Sequence, residues 1–409
     1  MRLSNNMMYQ NSLSSILNNQ SEVNKASMQV NTQKRVLSAS DDPSATARAM
    51  LYSDRIQTNE QYDKNLTMLN GRLNTQESVL KNIKTSLEQA YTLAIRAGNG
   101  SVTDIDKDSI AQEIKSIQDA VMDLMNAKSE DGRYIFSGYQ DNTQTYSQDP
   151  NTGKFVYNGD QGQHKIKVAE GVEIRSSDNG FDVFEKAQSR LNVTSNTATV
   201  GGALTSGSVY VTEQGEFNKF HQTYYNADPT APATANDFQI TLGAGNTYTL
   251  TQDGATVQSG TYTDNKISIG GMEIEFAGGT TGTVDFSLAA PKKDNVLNTL
   301  EDLYQGLLTP GTSTKDMEQI IADAIVGLDN AKNQVSYSQA SLGGRLNTAK
   351  QISQANADLD INNKSAKADI LELDMTEAIT NLKKHETALQ ASQATFGRLS
   401  NLSLFDYIR

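Results

Sequence analysis

The chain has 409 residues and sets 48 Asp+Glu against 35 Lys+Arg, a net charge of −13, with no cysteine and no tryptophan. No block of basic residues interrupts that acidity, which sets aside nucleic acid and anionic membrane as main partners, since both need clustered cations. The missing cysteines exclude disulfide frameworks and thiolate chemistry. No run approaches the ~20 apolar residues of a membrane-spanning helix, and MRLSNNMMYQNSLSSI lacks the apolar region of a cleavable secretory signal.

In chain order, Ile16, Val23, Val30 and Leu37 recur every seven residues. Their companions Leu13, Gln20, Ser27 and Lys34 are mostly polar, so this first helix has a half-apolar seam that needs neighbours. In RVLSASDDPSATARAM (35–50), Asp42 is placed to cap a new helix and Pro43 suits its first position. Asp41 adds negative charge near the positive end of that helix. Beyond it, Leu66, Leu69, Leu73, Gln76, Leu80, Ile83, Leu87, Ala90 and Ala94 alternate spacings of three and four, a coiled-coil seam that stops at Gly98 and Gly100. Ser109-x-x-Gln112 resembles a capping box opening a third helix, with Ile110, Ile114, Ile117, Val121 and Leu124 on its face.

From about 131 to 290 the pattern changes to strands. KIKVAEGVEI and ISIGGMEIEF alternate, and NTYTLTQDGATV places Asp-Gly between β-branched runs. Helical period returns at Val296. Ala324, Leu328, Ala331, Val335, Ser338 and Leu342 form a seam interrupted by Gly343-Gly344. Leu371, Met375, Ala378, Leu382, His385, Leu389, Ser392, Phe396 and Leu399 read as an unbroken series. A helix from Ser44 to Ala97 would span ~80 Å, against a diameter near ~55 Å for a compact protein of this length. The expected fold is therefore mainly α with a β-rich insert, an elongated antiparallel coiled coil or bundle of N- and C-terminal segments.

Catalytic and metal motifs are lacking. The histidines, His164, His221 and His385, form no H-E-x-x-H. Asp104, Asp106 and Asp108 begin like a calcium loop, but Ser109 stands where Gly is needed and Lys115 where Glu is needed. GAGNTY lacks the third glycine and the strand–helix setting of a dinucleotide site. No G-x-S-x-G is present. No cofactor, no metal and no enzymatic activity are expected.

The motifs, taken in order, resemble the flagellin superfamily. RVLSASDDPSATARAM is similar to its N-terminal signature and DMTEAITNLKKHETALQASQATFGRLSNLSLFDYIR to its C-terminal segment. The opening MRLSNNMMY, DGRYIFSGYQDNTQTY, FVYNGDQGQHKIKVAEGVEIRSSDNGFDVF and the ending LSLFDYI are similar to the hook-associated protein 3 group rather than to filament flagellin, and the match spans about 1–186 and 291–409. The resemblance implies a structural ring between hook and filament of the bacterial flagellum. It also implies export through the flagellar type III apparatus to an extracellular position, and a chaperone on the C-terminal helical region before export. Neighbouring partners would be another hook-associated protein on the hook side and flagellin or its adjoining junction protein on the filament side. Filament flagellin is the alternative; a secreted enzyme or adhesin acting through 190–290 is a distant one.

The expected organisation is terminal helical segments 1–40 and 370–409, disordered in the monomer, and a helical core with a β-hairpin region over 41–189 and 291–369. A variable outer β domain takes 190–290. The expected N-terminal assembly interface is Leu13, Ile16, Val23, Val30 and Leu37. At the C-terminus, Leu371, Met375, Leu382, Leu389, Phe396, Leu399 and Phe405 are expected to serve assembly and chaperone binding. Asp41, Asp42 and Pro43 form the helix boundary.

Overall fold

The computed structural model describes the backbone of residues 5–407 and the side chains of residues 7–398. Two long helices come first, α1 (Asn5–Thr32) and α2 (Pro43–Ala97), followed by α3 (Asp104–Met125). Short strands pair as β1 (Tyr146–Gln148) with β2 (Phe155–Tyr157), and β3 (Lys165–Ala169) with β4 (Val172–Arg175). Next come α4 (Gly180–Phe184), β5 (Ala187–Gln188), the long β6 (Thr199–Val211) and α5 (Gln214–Tyr224). Then follow β7 (Asp237–Gly243), β8 (Thr247–Gln252), β9 (Ala255–Thr261), β10 (Lys266–Ile269) and β11 (Met272–Ser287). The two-residue β12 (Lys293–Asp294) pairs back onto β5, and α6 (Val296–Leu308), α7 (Thr314–Leu371) and α8 (Met375–Tyr407) follow. The mainly α fold with long helices and a β-rich insert is thus the one the sequence predicts.

The chain divides into two compact units. One comprises Met1–Thr67, Lys167–Val172 and Ala349–Arg409; it holds α1, α8, the start of α2 and the end of α7. Inside it, buried Asn59 donates to the carbonyl of Asn356 (3.0 Å). Buried Asn356 in turn donates to the Val168 carbonyl (2.9 Å), and Asn65 donates to that of Lys167 (2.7 Å). Each side-chain amide satisfies a carbonyl of a partner segment, which ties that segment in one register.

The other unit comprises Met68–Ile166 and Glu173–Thr348. Here every predicted α2 seam residue from Leu69 to Ala94 is buried. Gln76 sits at 0 % exposure on the seam and donates to Asp178 (3.0 Å), which also pairs with Arg345. Helix α3 packs on α6, its Ile110, Ile114 and Val121 are buried, and buried Gln118 donates to the Leu297 carbonyl (3.0 Å) and to Glu301 (2.9 Å) of α6. The predicted start of α3 is corrected. The capping box is Thr103 with Asp106, six residues earlier, and Ser109 lies inside the helix with its hydroxyl on the Ile105 carbonyl. Asp106 reaches back to its cap amide, as a residue three positions into a helix does. On α3, Leu124 is only half-buried and Met125 takes the core position.

The large sheet is antiparallel throughout. β11 pairs with β6 along most of its length, with β10 at its start and with β7 at its end; β8 and β9 extend it from β7. Asp253 and Gly254 both take positive φ (49° and 79°), the geometry a two-residue turn between twisted strands needs. At the register shift of β11, Gly202 (φ 71°) faces Gly282, where a Cβ would stand 2.8 Å from its Cα. The sheet has its own core, in which Phe217 and Phe220 of α5 meet Phe238, Ile240, Leu250 and Ile274. Arg190 anchors the base of this sheet: its Nη1 donates to Gln319 (3.0 Å) and Asp323 (3.1 Å) on α7, its Nη2 to the Val211 carbonyl (2.9 Å).

Candidate functional site

The first unit brings the two chain ends together. α1 and α8 run antiparallel: the Tyr9 and Phe396 rings lie 4.9 Å apart, and Asn19 donates to Ser392 Oγ (2.7 Å). Their seam is thin. Ile16, Val23, Val30, Leu382, Leu389 and Phe396 are half-buried, while Leu13 is 42 % and Met375 37 % exposed. Among the described side chains only Ala26 of α1 and Ala378 of α8 are buried. The side chains of Leu399 and Phe405 lie outside the described residues.

Two expected members of this seam sit elsewhere. Leu37 lies five residues beyond the end of α1, which Gln33 terminates at φ 57°. Leu371 is the last residue of α7, so the series read as unbroken from Leu371 to Leu399 is cut at 372–374. No proline makes that cut. Asp374 does, its Oδ1 accepting from the amides of Thr376 (2.8 Å) and Glu377 (3.2 Å) as an N-cap. Sequence reasoning missed this residue, although Asp374-x-x-Glu377 carries the spacing of a capping box.

The two helix breaks coincide. The amide of Arg35 donates to the Leu371 carbonyl (2.8 Å), that of Leu373 to Gln33 (3.2 Å), and Lys34 and Glu372 form a two-residue bridge. The Arg35 guanidinium adds a bond to the Ile370 carbonyl (2.9 Å). Carbonyls left free by the end of α7 are thereby satisfied from the α1–α2 connector.

On that connector Asp42 accepts the Ala45 amide (2.9 Å), with Pro43 in the first helical position of α2. Asp41 does something other than complement the α2 dipole. Its Oδ2 accepts from the amides of Leu37 (3.2 Å) and Ser38 (3.1 Å), and its Oδ1 pairs with Lys25 of α1 (3.1 Å). The Lys25 ammonium, followed by the Ser38 amide, holds the Asp41 carboxyl below its usual range. The two acids have divided roles, one closing the connector onto α1 and one opening α2. This is a structural joint, and nothing in it is arranged for bond-making chemistry. Among the described residues no cluster of three or more His, Cys, Asp or Glu has metal-binding geometry.

Residues 3–141 match the family of the bacterial flagellin N-terminal helical region. Along 99 % of its length the chain is 24 % identical to flagellar hook-associated protein 3 of Escherichia coli strain K12, covering 99 % of that protein. It is 37 % identical over 148 residues to flagellar hook-associated protein 3 of Salmonella typhimurium, 36 % of this chain and 47 % of that one. Among solved structures it is similar to the flagellar hook-associated protein 3 of Legionella pneumophila, with TM-score 0.59, 23 % identity, and 78 % and 97 % of the two chains covered. FlgL of Xanthomonas campestris matches with TM-score 0.58, 18 % identity, and 78 % and 99 % covered. The resemblance carried by the terminal motifs therefore extends to the whole sequence and to the fold.

Proposed function

We propose that this chain, flagellin-like at its N-terminus and similar to hook-associated protein 3 from end to end, is a structural part of the bacterial flagellum that joins hook to filament. The carrying observation is the whole-length match to a protein of that name. The joint described above supports the reading: α1 and α8 are long, paired and thinly seamed, a poor core for one chain but a good surface for contacts between chains. In this reading the subunits form a ring. The terminal residues Leu13, Ile16, Val23, Val30, Met375, Leu382, Leu389 and Phe396 meet neighbouring subunits, and the C-terminal helix is held by an export chaperone before secretion. A hook-associated protein lies on one side, and flagellin or its adjoining junction protein on the other.

Electron microscopy of flagella labelled for this protein tests the reading. One band at the hook–filament boundary is expected; label along the whole filament would identify it as filament flagellin instead. The chaperone site has its own test: Leu382→Glu with Leu389→Glu should weaken capture of the chaperone in a pull-down while the β domain stays folded, and unchanged capture would place the site elsewhere.

A further inference from the structure

Four Asn-Gly pairs occur in the sequence, at 70–71, 99–100, 158–159 and 179–180. Such a pair is open to attack by the backbone on its own side chain, because glycine has no Cβ to shield its nitrogen or restrict its approach. The fold treats the four differently. Asn70 and Gly71 lie within α2, where the helical ladder engages the glycine amide and fixes the backbone. Asn158 is half-buried and donates to Ser147 Oγ (2.9 Å), and Gly159 is so enclosed that a Cβ would stand 2.8 Å from Ser137 Cα. Asn179 is fully buried as the cap of α4, and the Gly180 amide donates to the Phe136 carbonyl (2.7 Å).

Asn99 and Gly100 are exposed in the turn that follows α2. The turn closes through the Val102 amide on the Asn99 carbonyl (3.0 Å), and among the described residues the Gly100 amide makes no hydrogen bond. Asn99 Oδ1 accepts from the amide of Ser101 (3.2 Å) and from its hydroxyl (3.1 Å). A side-chain oxygen bonded to the amide two residues on folds back over the intervening peptide, whose nitrogen here is that of Gly100. The same two donors meet the oxygen on which negative charge develops when the carbon that bears it, Cγ, is attacked.

We infer that Asn99 is a site of spontaneous covalent modification, a deamidation assisted by Ser101. The Gly100 nitrogen gives up its proton and forms a bond to Asn99 Cγ. The Cγ–Nδ2 bond breaks, and that nitrogen leaves as ammonia, closing a succinimide ring. Water then adds to either ring carbonyl and opens it, leaving aspartate or, where the chain now runs through the side chain, isoaspartate; nothing is oxidised or reduced. Both products put a carboxylate beside the carbonyl end of α2, which carries partial negative charge. Isoaspartate also lengthens the connection to the Thr103 cap of α3. The inference stands on this turn and does not rest on the junction reading.

The full chain is the material for the test. Folded protein is incubated at neutral pH in water enriched in heavy oxygen, and the peptides carrying the four pairs are followed by mass spectrometry. Expected is uptake of solvent oxygen at Asn99 at least about tenfold faster than at the other three, a barrier lower by about 1.4 kcal/mol. In the urea-unfolded chain the four rates should converge, with Asn99 slower than in the folded protein. Gly100 keeps a negative φ and a Cβ there meets nothing within 4 Å, so Gly100→Ala should fold normally and lose most of the reaction. Ser101→Ala, which removes the hydroxyl and keeps the amide, should slow it severalfold. Equal rates at the four pairs in the folded protein, or a slower Asn99 there than in urea, would overturn the inference. A rate indifferent to Ser101→Ala would overturn the assistance assigned to the hydroxyl.

Discussion

Asp42 and Asp374 do the same work at opposite ends of the chain, each presenting a carboxylate to the free amides of a helix start beside the other's connector. Loss of such a cap costs about 1 kcal/mol. Asp42→Ala and Asp374→Ala should each lower the free energy of urea unfolding by about that amount, and Asp41→Ala should loosen α1 instead, since its partners are Lys25 and the connector amides. The buried group Gln76–Asp178–Arg345 carries a higher cost. Arg345→Met would leave the Asp178 carboxylate, 7 % exposed, with the Gln76 amide alone, and a broken buried pair costs about 3–5 kcal/mol. Adding Asp178→Leu should recover part of the loss in the same urea titration.

A pH effect also belongs to single residues. Lys266 and Lys315 hold Glu275 down to about 2 and lower Glu273 as well. Carboxyls depressed by folding contribute stability that is fully present above their unfolded value of about 4.3 and is lost as pH falls toward the folded one. The wild-type chain should therefore melt higher than Glu275→Gln at pH 6, with the difference shrinking between pH 4.5 and 2. A constant gap in thermal melts across that range would contradict the assignment.

At the scale of elements, periodicity translated directly into burial where the seam was full. Leu66 to Ala94 of α2 are buried at every predicted position, because spacings of three and four keep all nine on one face of a 3.6-residue helix. α1 and α8 have the period without the occupancy. We expect their amides to exchange with solvent well before those of the α2 seam in the isolated protein, the behaviour of segments with few buried apolar contacts; equal protection would count against disorder-to-order assembly. The seam pattern predicts an interruption at Gly343-Gly344, and α7 runs through both. A Cβ at either meets nothing within 4 Å, whereas at Gly327 it would stand 2.8 Å from Thr299 of α6. Gly344→Ala should thus stabilise by about 0.5–1 kcal/mol, and Gly327→Ala should destabilise by about 1–3 kcal/mol as overpacking does, both measured as shifts in the urea midpoint.

At the scale of the molecule, the outer sheet is an insert whose ends are already paired: the Thr194 amide donates to the Ser287 carbonyl and that of Ala289 to Asn192, both at 2.9 Å. Its core residues all fall between Val193 and Leu288. Replacing 195–286 by a short Gly/Ser linker should leave the helical signal of α2, α3, α6 and α7 in circular dichroism cooperative on heating. Collapse of that transition would show that the Arg190 anchor is essential to the helices as well as to the sheet.

Much of this was legible without coordinates. The long helices, the strand-rich middle, the hairpin at Asp253-Gly254 and the cap at Asp42 follow from local rules: hydrophobic period, turn chemistry and capping act between residues near in sequence. What the tertiary structure alone decided is nonlocal. That Leu37 and Leu371 belong to a joint rather than to the terminal helices depended on Gln33 and Leu373 meeting across the chain. That Asp41 faces Lys25 depended on how the connector folds back onto α1. A linear pattern records which residues are able to make such contacts; only the packed chain settles which contacts are made, because each buried or paired group removes itself from every other possible use.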